Sequence, residues 1–258
     1  VRAIVIGDVV GGVGHSAVLD ALPGLLDEHG ADLVVVNAEN AASGAGTSPR
    51  QARDLLDAGA HVVTGGNHTF RRREILPLLG SDPRVLRPQN LVVTGPGSGF
   101  ARVESVEGEA VVINLLGAVF MEAAMSPFAL IDDLLERASG ARYVLVDIHA
   151  EATSEKIALA RYLDGRVTAV FGTHTHVQTA DAKILPGGTA YISDLGMSGP
   201  HDSVIGVDTQ VVINRFLRGL PGRFEVAEGD VRVQGAVIDA DDSGRATAIA
   251  PFDLEISP

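Results

Sequence analysis

Val167-Thr168-Ala169-Val170-Phe171-Gly172-Thr173-His174-Thr175-His176 is an apolar, β-branched run that stops at a glycine and turns polar at once. A run this short, bounded by turn chemistry, reads as a buried strand at 167–171. Both histidines follow its carboxyl end. The arrangement recurs. A strand at 3–6 ends in Gly7-Asp8, and one at 33–37 in Asn37-Ala38-Glu39-Asn40. One at 61–64 runs into Gly65-Gly66-Asn67-His68, and one at 143–148 into His149-Ala150-Glu151. Open α/β sheets bind ligands outside the carboxyl ends of their strands. If these strands are parallel neighbours, five polar clusters share one rim.

Between the strands lie helical patterns. One spans 16–28, where Pro23-Gly24 should bend or break it. Ser48-Pro49-Arg50-Gln51 combines an N-cap, a first-position proline and a capping-box glutamine, opening a helix to about Asp57. Residues 72–79 read as helical. Strands are expected at 85–93, 100–103 and 110–114, separated by Gly/Pro turns. Helices follow at 127–137 and 155–163, a strand at 190–193, and a helix at 208–217. Further strands are expected around 224–226, 231–238 and 246–250. No repeat or linker interrupts the pattern, so the expectation is one α/β domain over residues 1–258, with a mixed sheet or two packed sheets.

The chain has 258 residues, 46% hydrophobic and 21% charged, the balance of a soluble globular protein with a real core. No apolar run approaches the roughly eighteen residues of a membrane span. The opening Val1-Arg2-Ala3-Ile4-Val5-Ile6 lacks a signal-peptide layout. A cytoplasmic location and no membrane partner are the default expectations. A net charge of −13 argues against a nonspecific duplex binder, which neutralises phosphates with basic side chains. The absence of cysteine removes disulfides, thiolate catalysis and Cys-ligated zinc together.

The residues at the strand ends match a metal site. Imidazole, carboxylate and amide oxygen suit iron, manganese or zinc. If the segment is extended, alternation sends His174 and His176 to one side, so that each can grip one ion of an adjacent pair. A pair about 3.5–4 Å apart needs a bridge, and a carboxylate such as Glu39 has two oxygens for it. Singly, each residue has a plainer explanation: Asp8 as a turn residue, Asn67-His68 as a turn closure, His149 as a buried hydrogen-bonded histidine. Five clusters together favour the metal. His15, His29, His61 and His201 are read as structural or solvent-facing. The rival is a dinucleotide fold, since Gly12-x-Gly14-x-x-Ala17 fits a fingerprint with Glu39 near the place of a ribose-binding acid. Against it, Asp8-Val9-Val10-Gly11 separate that fingerprint from its strand, and Gly172 to His176 would be left without purpose. There is no nucleophile elbow, Walker loop or His-Glu-x-x-His helix.

Gly7-Asp8, Gly66-Asn67-His68 and Gly172-Thr173-His174-Thr175-His176, in that order, resemble the calcineurin-like metallophosphoesterases. The resemblance implies an α/β/β/α sandwich of two mixed sheets flanked by helices. Ile6 to Gly11, Asn37 to Ala42, His149-Ala150-Glu151-Ala152-Thr153-Ser154-Glu155-Lys156 and Gly172 to Asp181 look like the YmdB-type bacterial branch, whose members hydrolyse 2′,3′-cyclic nucleotides. So do Arg87-Pro88-x-Asn90, Pro127-Phe128 and Gly199-Pro200-His201-Asp202, so the similarity spans essentially the whole chain. Carried over, it makes Asp8, Asn40 and His176 ligands of one metal and Asn67, His149 and His174 ligands of the other. Glu39 bridges them, and His68 is the proton donor. The superfamily's usual Asp-x-His pair is here Asp8-x-Val10 and its bridging Asp is Glu39, with Asn40 as a neutral compensating ligand. Two iron or manganese ions are expected.

The reaction expected is in-line attack on phosphorus by a hydroxide bridging the ions, with His68 protonating the departing ribose oxygen. Asp147 or Glu151 is expected to orient ligand imidazoles. Residues 44–47 and 117–127 are expected at the pocket rim. Two alternatives stay open: a nucleotide-sensing or partner-binding regulator with incidental slow turnover, and a phosphomonoesterase or nucleotidase. The partner implied is a small cyclic nucleotide or other phosphodiester. A homo-oligomer is compatible with the sequence.

Overall fold

A computed structural model describes residues 1–93, 95–105, 108–121, 124–219 and 224–256. One sheet runs in the order β2 (Asp8–Val9), β11 (Met197–Pro200), β12 (Val231–Ala240), β1 (Arg2–Ile6), β3 (Leu33–Asn37) and β4 (Val62–Thr64), with β13 (Ala246–Glu255) also paired to β12. The other runs β5 (Phe100–Ser105), β6 (Gly108–Leu116), β7 (Tyr143–His149), β8 (Ala169–Thr173), β10 (Ala190–Ile192) and β9 (Lys183–Ile184). Both are mixed. Strands β1, β3 and β4 are parallel, while β12 lies antiparallel to β1 in the register Arg2 to Asp239. Strands β6, β7, β8 and β10 are parallel, with antiparallel β5 and β9 at the edges.

The near-continuous apolar strands follow from burial on both faces. Along β1, Ala3 and Val5 point into the layer between the sheets, where they join Val112, Leu145, Phe171 and Ile192. Ile4 and Ile6 point the other way, onto α1 (Gly11–His29) and α2 (Pro49–Asp57). On the second sheet Val111, Ile113 and Val146 face outward onto α4 (Ile131–Arg137) and α5 (Thr153–Leu163). Three apolar layers therefore separate helix, sheet, sheet and helix. Each fully buried Val or Ile contributes roughly 1.5–3 kcal/mol. Two further helices are α3 (Leu76–Ser81) and α6 (Thr209–Arg218). No helix among the described residues is long and apolar enough to cross a membrane.

The structure differs from the sequence expectation in identifiable places. Helix α1 starts at Gly11 and passes Pro23 unbroken, because Pro23 and Gly24 lie on its exposed face, where the hydrogen bond that proline withholds falls on the solvent side. Residues 85–93 form no strand, only bridges at Val85 and Leu91. Asn90 supplies the reason. Its Nδ2 donates to Leu116 O and Met125 O, both at 2.6 Å, and its Oδ1 accepts from Leu116 N at 2.7 Å. A side chain there replaces a ladder. The helix expected at 72–79 divides into a 3₁₀ turn at Arg73–Ile75 and α3, and that at 127–137 into a turn at Pro127–Ala129 and α4. Around 224–226 only a single bridge forms, from Val226 to Val207. The capping box at Ser48 is present, with Gln51 N donating to Ser48 Oγ at 3.2 Å.

Candidate metal centre

The carboxyl ends of β3, β4, β7 and β8, together with β2, meet at one place. All eight residues singled out in the sequence are there. His149 Nε2 lies 3.0 Å from Asn67 Oδ1, 3.1 Å from His174 Nδ1 and 3.1 Å from Glu39 Oε1. Beside this group stands a second. Asn40 Nδ2 lies 3.0 Å from His176 Nε2, which is 3.8 Å from Asp8 Oδ1. Glu39 adjoins both groups, with its Oε2 accepting from His68 N at 2.9 Å. The cradle is open only because residue 66 is glycine: a Cβ there would lie 2.3 Å from Glu39 Oε2 and 2.4 Å from His149 Nε2.

The outer nitrogen of each imidazole is occupied, which turns the inner one toward the centre, where that of His176 accepts from Asn40 Nδ2. Thr173 Oγ1 donates to Asp147 Oδ1 at 2.8 Å and so accepts from His149 Nδ1 at 2.9 Å. His176 Nδ1 donates to Ile205 O at 2.9 Å. His174 Nε2 lies 3.3 Å from Glu151 Oε2. With both rings neutral, His149 Nε2 and His174 Nδ1 would face each other at 3.1 Å as two lone pairs flanked by two acceptor oxygens, a crowding that a positive charge at His149 Nε2 relieves. Asp8 Oδ1 and Glu39 Oε1 are buried without a hydrogen-bond partner. Glu39, His149 and His174 can hold one ion, their donor atoms lying within 4.8 Å of one another. Acceptors crowded without donors suit a cation, and oxygen with imidazole suits a first-row metal.

The charges agree. Burial alone would depress the His149 ring, but Glu39, Asp8 and Asp147 outweigh it and push it up to about 9. Burial and the positive His149 beside it push His174 down to about 3. Burial raises Asp8, whereas His149 and His68 overcome burial to hold Glu39 well below the usual carboxylate range. The carboxylates thus favour positive charge at His149. The expected orienting acids act in different ways: Asp147 works through Thr173, and Glu151 reaches His174 directly. Burial pushes Asp147 up to about 6, although Thr64, Thr173 and Asn37 all donate to it.

The extended conformation assumed for 174–176 is not found. Strand β8 ends at Thr173, and His174 (φ 100°) and His176 (φ 64°) both adopt left-handed backbone. Each such residue costs of order 1–3 kcal/mol and needs the surroundings to enforce it. Lys156 and Asp194 supply the enforcement. Lys156 Nζ, wholly buried on α5, donates to Thr173 O at 2.9 Å and to Asp194 Oδ2 at 2.8 Å. Asp194 Oδ2 also accepts from Thr175 N at 3.1 Å and Thr175 Oγ1 at 2.8 Å. This clamp grips the loop on both sides of His174. Nothing in the residue pattern assigns a role to Lys156, Asp194 or Thr173.

Gly14, part of the rival dinucleotide fingerprint, is explained by packing, because a Cβ would meet Ser198 O of β11 at 2.1 Å. His15, His61 and His201 make structural hydrogen bonds away from the centre, to Gln51 O, Val34 N and Met197 O. A cavity of about 500 Å³ opens onto Glu39, Asn40, His68 and His176. Gly44 and Ala45 line it as expected, but its far wall is Ile205, Val207, Phe224 and Val226. From 117–127, Phe120 and Met121 border a separate cavity, while Glu122 and Ala123 lie outside the described residues.

A family profile described as YmdB-like protein matches residues 4–252. The chain belongs to the YmdB-like family. It is 46% identical over 242 residues to the Bacillus subtilis 2′,3′-cyclic-nucleotide 2′-phosphodiesterase, covering 93% of this chain and 92% of that one. It superposes on the crystal structure of a novel phosphatase from Mycoplasma pneumoniae with a TM-score of 0.93 and 34% identity, covering 100% and 95% of the two chains. The fold extends further. A putative 5′-nucleotidase from Staphylococcus aureus matches with a TM-score of 0.64 at 14% identity, covering 100% of this chain and 55% of that one. The architecture of the YmdB-like chain is thus the calcineurin-like metallophosphoesterase sandwich expected from its motifs.

Proposed function

We propose that the protein is a dinuclear-metal phosphodiesterase that hydrolyses small cyclic nucleotides, 2′,3′-cyclic nucleotides in particular. The observation that carries this reading is the set of bare acceptors around Glu39. Asn67, His149 and His174 would hold one ion, and Asp8, Asn40 and His176 the other, with Glu39 shared; iron or manganese suits these donors. Bound there, the ions supply Lewis-acid charge for the phosphoryl oxygens and activate water as the nucleophile. The name of the Bacillus relative supports the substrate class.

His68 is the proton donor. Its Nδ1 lies 3.0 Å from Asn40 Oδ1 and 3.4 Å from Glu39 Oε1, and its ring borders the 500 Å³ cavity. Anchored through Nδ1, the ring is free to present Nε2–H to a ribose oxygen as its bond to phosphorus breaks. Glu39 holds the donor in place through the backbone N of His68.

Elemental analysis of the purified protein, with assays against cyclic nucleotides and phosphomonoesters, tests the reading. Two transition-metal ions per chain and diester turnover are expected, and His149→Ala or Glu39→Ala should lower metal and turnover together. Metal-free protein with undiminished turnover would refute the mechanism, and faster monoester cleavage would move the reading to a phosphomonoesterase.

A further inference from the structure

The centre is bordered by a second cavity that a cyclic mononucleotide does not need. It measures about 440 Å³, and Asn67, Phe70, Leu91, Val93, Phe120 and Met121 line it. Among the described residues only Arg71 and His174 border both cavities. Phe120 is 87% exposed and takes left-handed backbone, φ 62°. An exposed aromatic in that conformation needs support, and the turn beneath it has support. Buried Glu155 accepts from Ala118 N at 3.0 Å and from Val119 N at 3.2 Å, pinning the two amides before Phe120. Arg71 is exposed, and among the described residues its guanidinium makes no hydrogen bond or ion pair. Neighbouring Arg72, by contrast, is tied to Ala42 O at 3.1 Å. An unpartnered cation beside clustered acceptors, in a chain of net charge −13, is complementary to a phosphodiester.

We propose that the protein also takes phosphodiesters with separate organic groups on the two sides of phosphorus, a linear dinucleotide being the simplest. This rests on the diesterase reading and extends its substrate class. The departing nucleoside occupies the cavity bordered by His68. The retained nucleoside lies in the Phe70–Phe120 cavity, its base stacked on an aromatic ring. Arg71, at the junction, donates to a non-bridging phosphoryl oxygen. Water adds to phosphorus and releases a proton to solvent, the bond to the departing oxygen breaks with its electron pair, and that oxygen takes the proton of His68, which solvent then restores. The products are a monoester and an alcohol.

The experiment compares thymidylyl-thymidine, which has no 2′-hydroxyl, with 2′,3′-cyclic AMP on metal-loaded protein. Variants are Phe120→Ala, Arg71→Ala and Arg71→Lys, and dinucleotide binding is also measured by calorimetry. Losing one stacking ring should weaken dinucleotide KM and Kd by roughly 5- to 150-fold. That loss should exceed the loss for 2′,3′-cyclic AMP by at least about 5-fold. Arg71→Ala should impair both substrates, with partial rescue by Arg71→Lys. Cleavage of the cyclic nucleotide with no binding or cleavage of the dinucleotide overturns the proposal alone, as do equal losses in Phe120→Ala. Phe120-dependent dinucleotide binding without any turnover overturns the diesterase reading and retains the second cavity as a nucleotide site. Neither binding nor turnover overturns both.

Discussion

Replacing Lys156 with Met keeps the length of the side chain and removes its charge from a wholly buried site. Asp194, itself buried, then keeps its carboxylate with Thr175 N, Thr175 Oγ1 and Gly196 N still donating, but without its cation. Thr173 O also loses a donor. Removing one partner of a buried pair costs about 3–5 kcal/mol. Three surviving donors to Asp194 place the expected loss near the lower end, about 3 kcal/mol. At about 2–4 °C per kcal/mol for a chain of this size, the midpoint of thermal unfolding should fall by roughly 6–12 °C. A second effect is local. With the clamp gone, the left-handed conformations of His174 and His176 lose part of what enforces them, so metal affinity should fall as well. Urea denaturation of the protein stripped of metal measures the first effect, and titration with manganese the second. The charge-free pair Lys156→Met/Asp194→Leu should recover part of the stability without recovering metal affinity, because Thr175 stays unanchored. A stability loss below about 1 kcal/mol in Lys156→Met, with unchanged manganese affinity, would refute the clamp.

Three further outcomes are expected. His68→Ala should keep its metal content and lose roughly 10²–10⁴-fold on a cyclic nucleotide, but much less on bis-nitrophenyl phosphate, whose leaving group departs without a proton. Equal losses at matched metal occupancy would assign His68 to positioning. Gly66→Ala puts a methyl 2.3 Å from Glu39 Oε2 and 2.4 Å from His149 Nε2, so metal content should collapse while secondary structure persists by circular dichroism. Burial holds the His61 ring below its ordinary 6.5, and protonation would break its acceptance from Val34 N. The unfolded chain therefore binds this proton more readily, and the contribution, intact above about 6.5, is lost as pH falls below it. Denaturation between pH 8 and 5 should show a shallower decline in His61→Asn than in the parent.

The strand ends were legible because a buried parallel strand has nowhere to put a polar residue except past its carboxyl end. Asp8, Glu39, Asn67, His149 and His174 all announce themselves in that way. Both sheets' central strands were legible too, their two apolar faces making unbroken runs. Strands β2, β9 and β11, of two to four residues, carry too little pattern to read. Residues 85–93 looked like a strand because their composition is β-forming; Asn90, reaching across to Leu116, decided otherwise. The backbone at His174 and His176 was illegible because histidine is no marker of positive φ, and its cause is a lysine on another element. Lys156 and Asp194 are 38 residues apart and share no local signal. Phe120 was read only as part of a rim, since nothing in its neighbourhood shows that Glu155 fixes the turn.

The antiparallel pairing of β1 with β12 joins residues 237 apart along the chain. A growing polypeptide extends at about 5–20 residues per second, so β1 waits roughly 12–47 s for that neighbour to be made. During the wait it can pair with β3 on one side only, and its other edge stays open to foreign strands. Asp8 waits as well, because β2 is held by β11. A chain truncated before β12 therefore offers an unguarded edge at β1, although every proposed metal donor and β11 have by then been made. The β1 edge is thus the part of the chain most in need of a chaperone until β12 has been made.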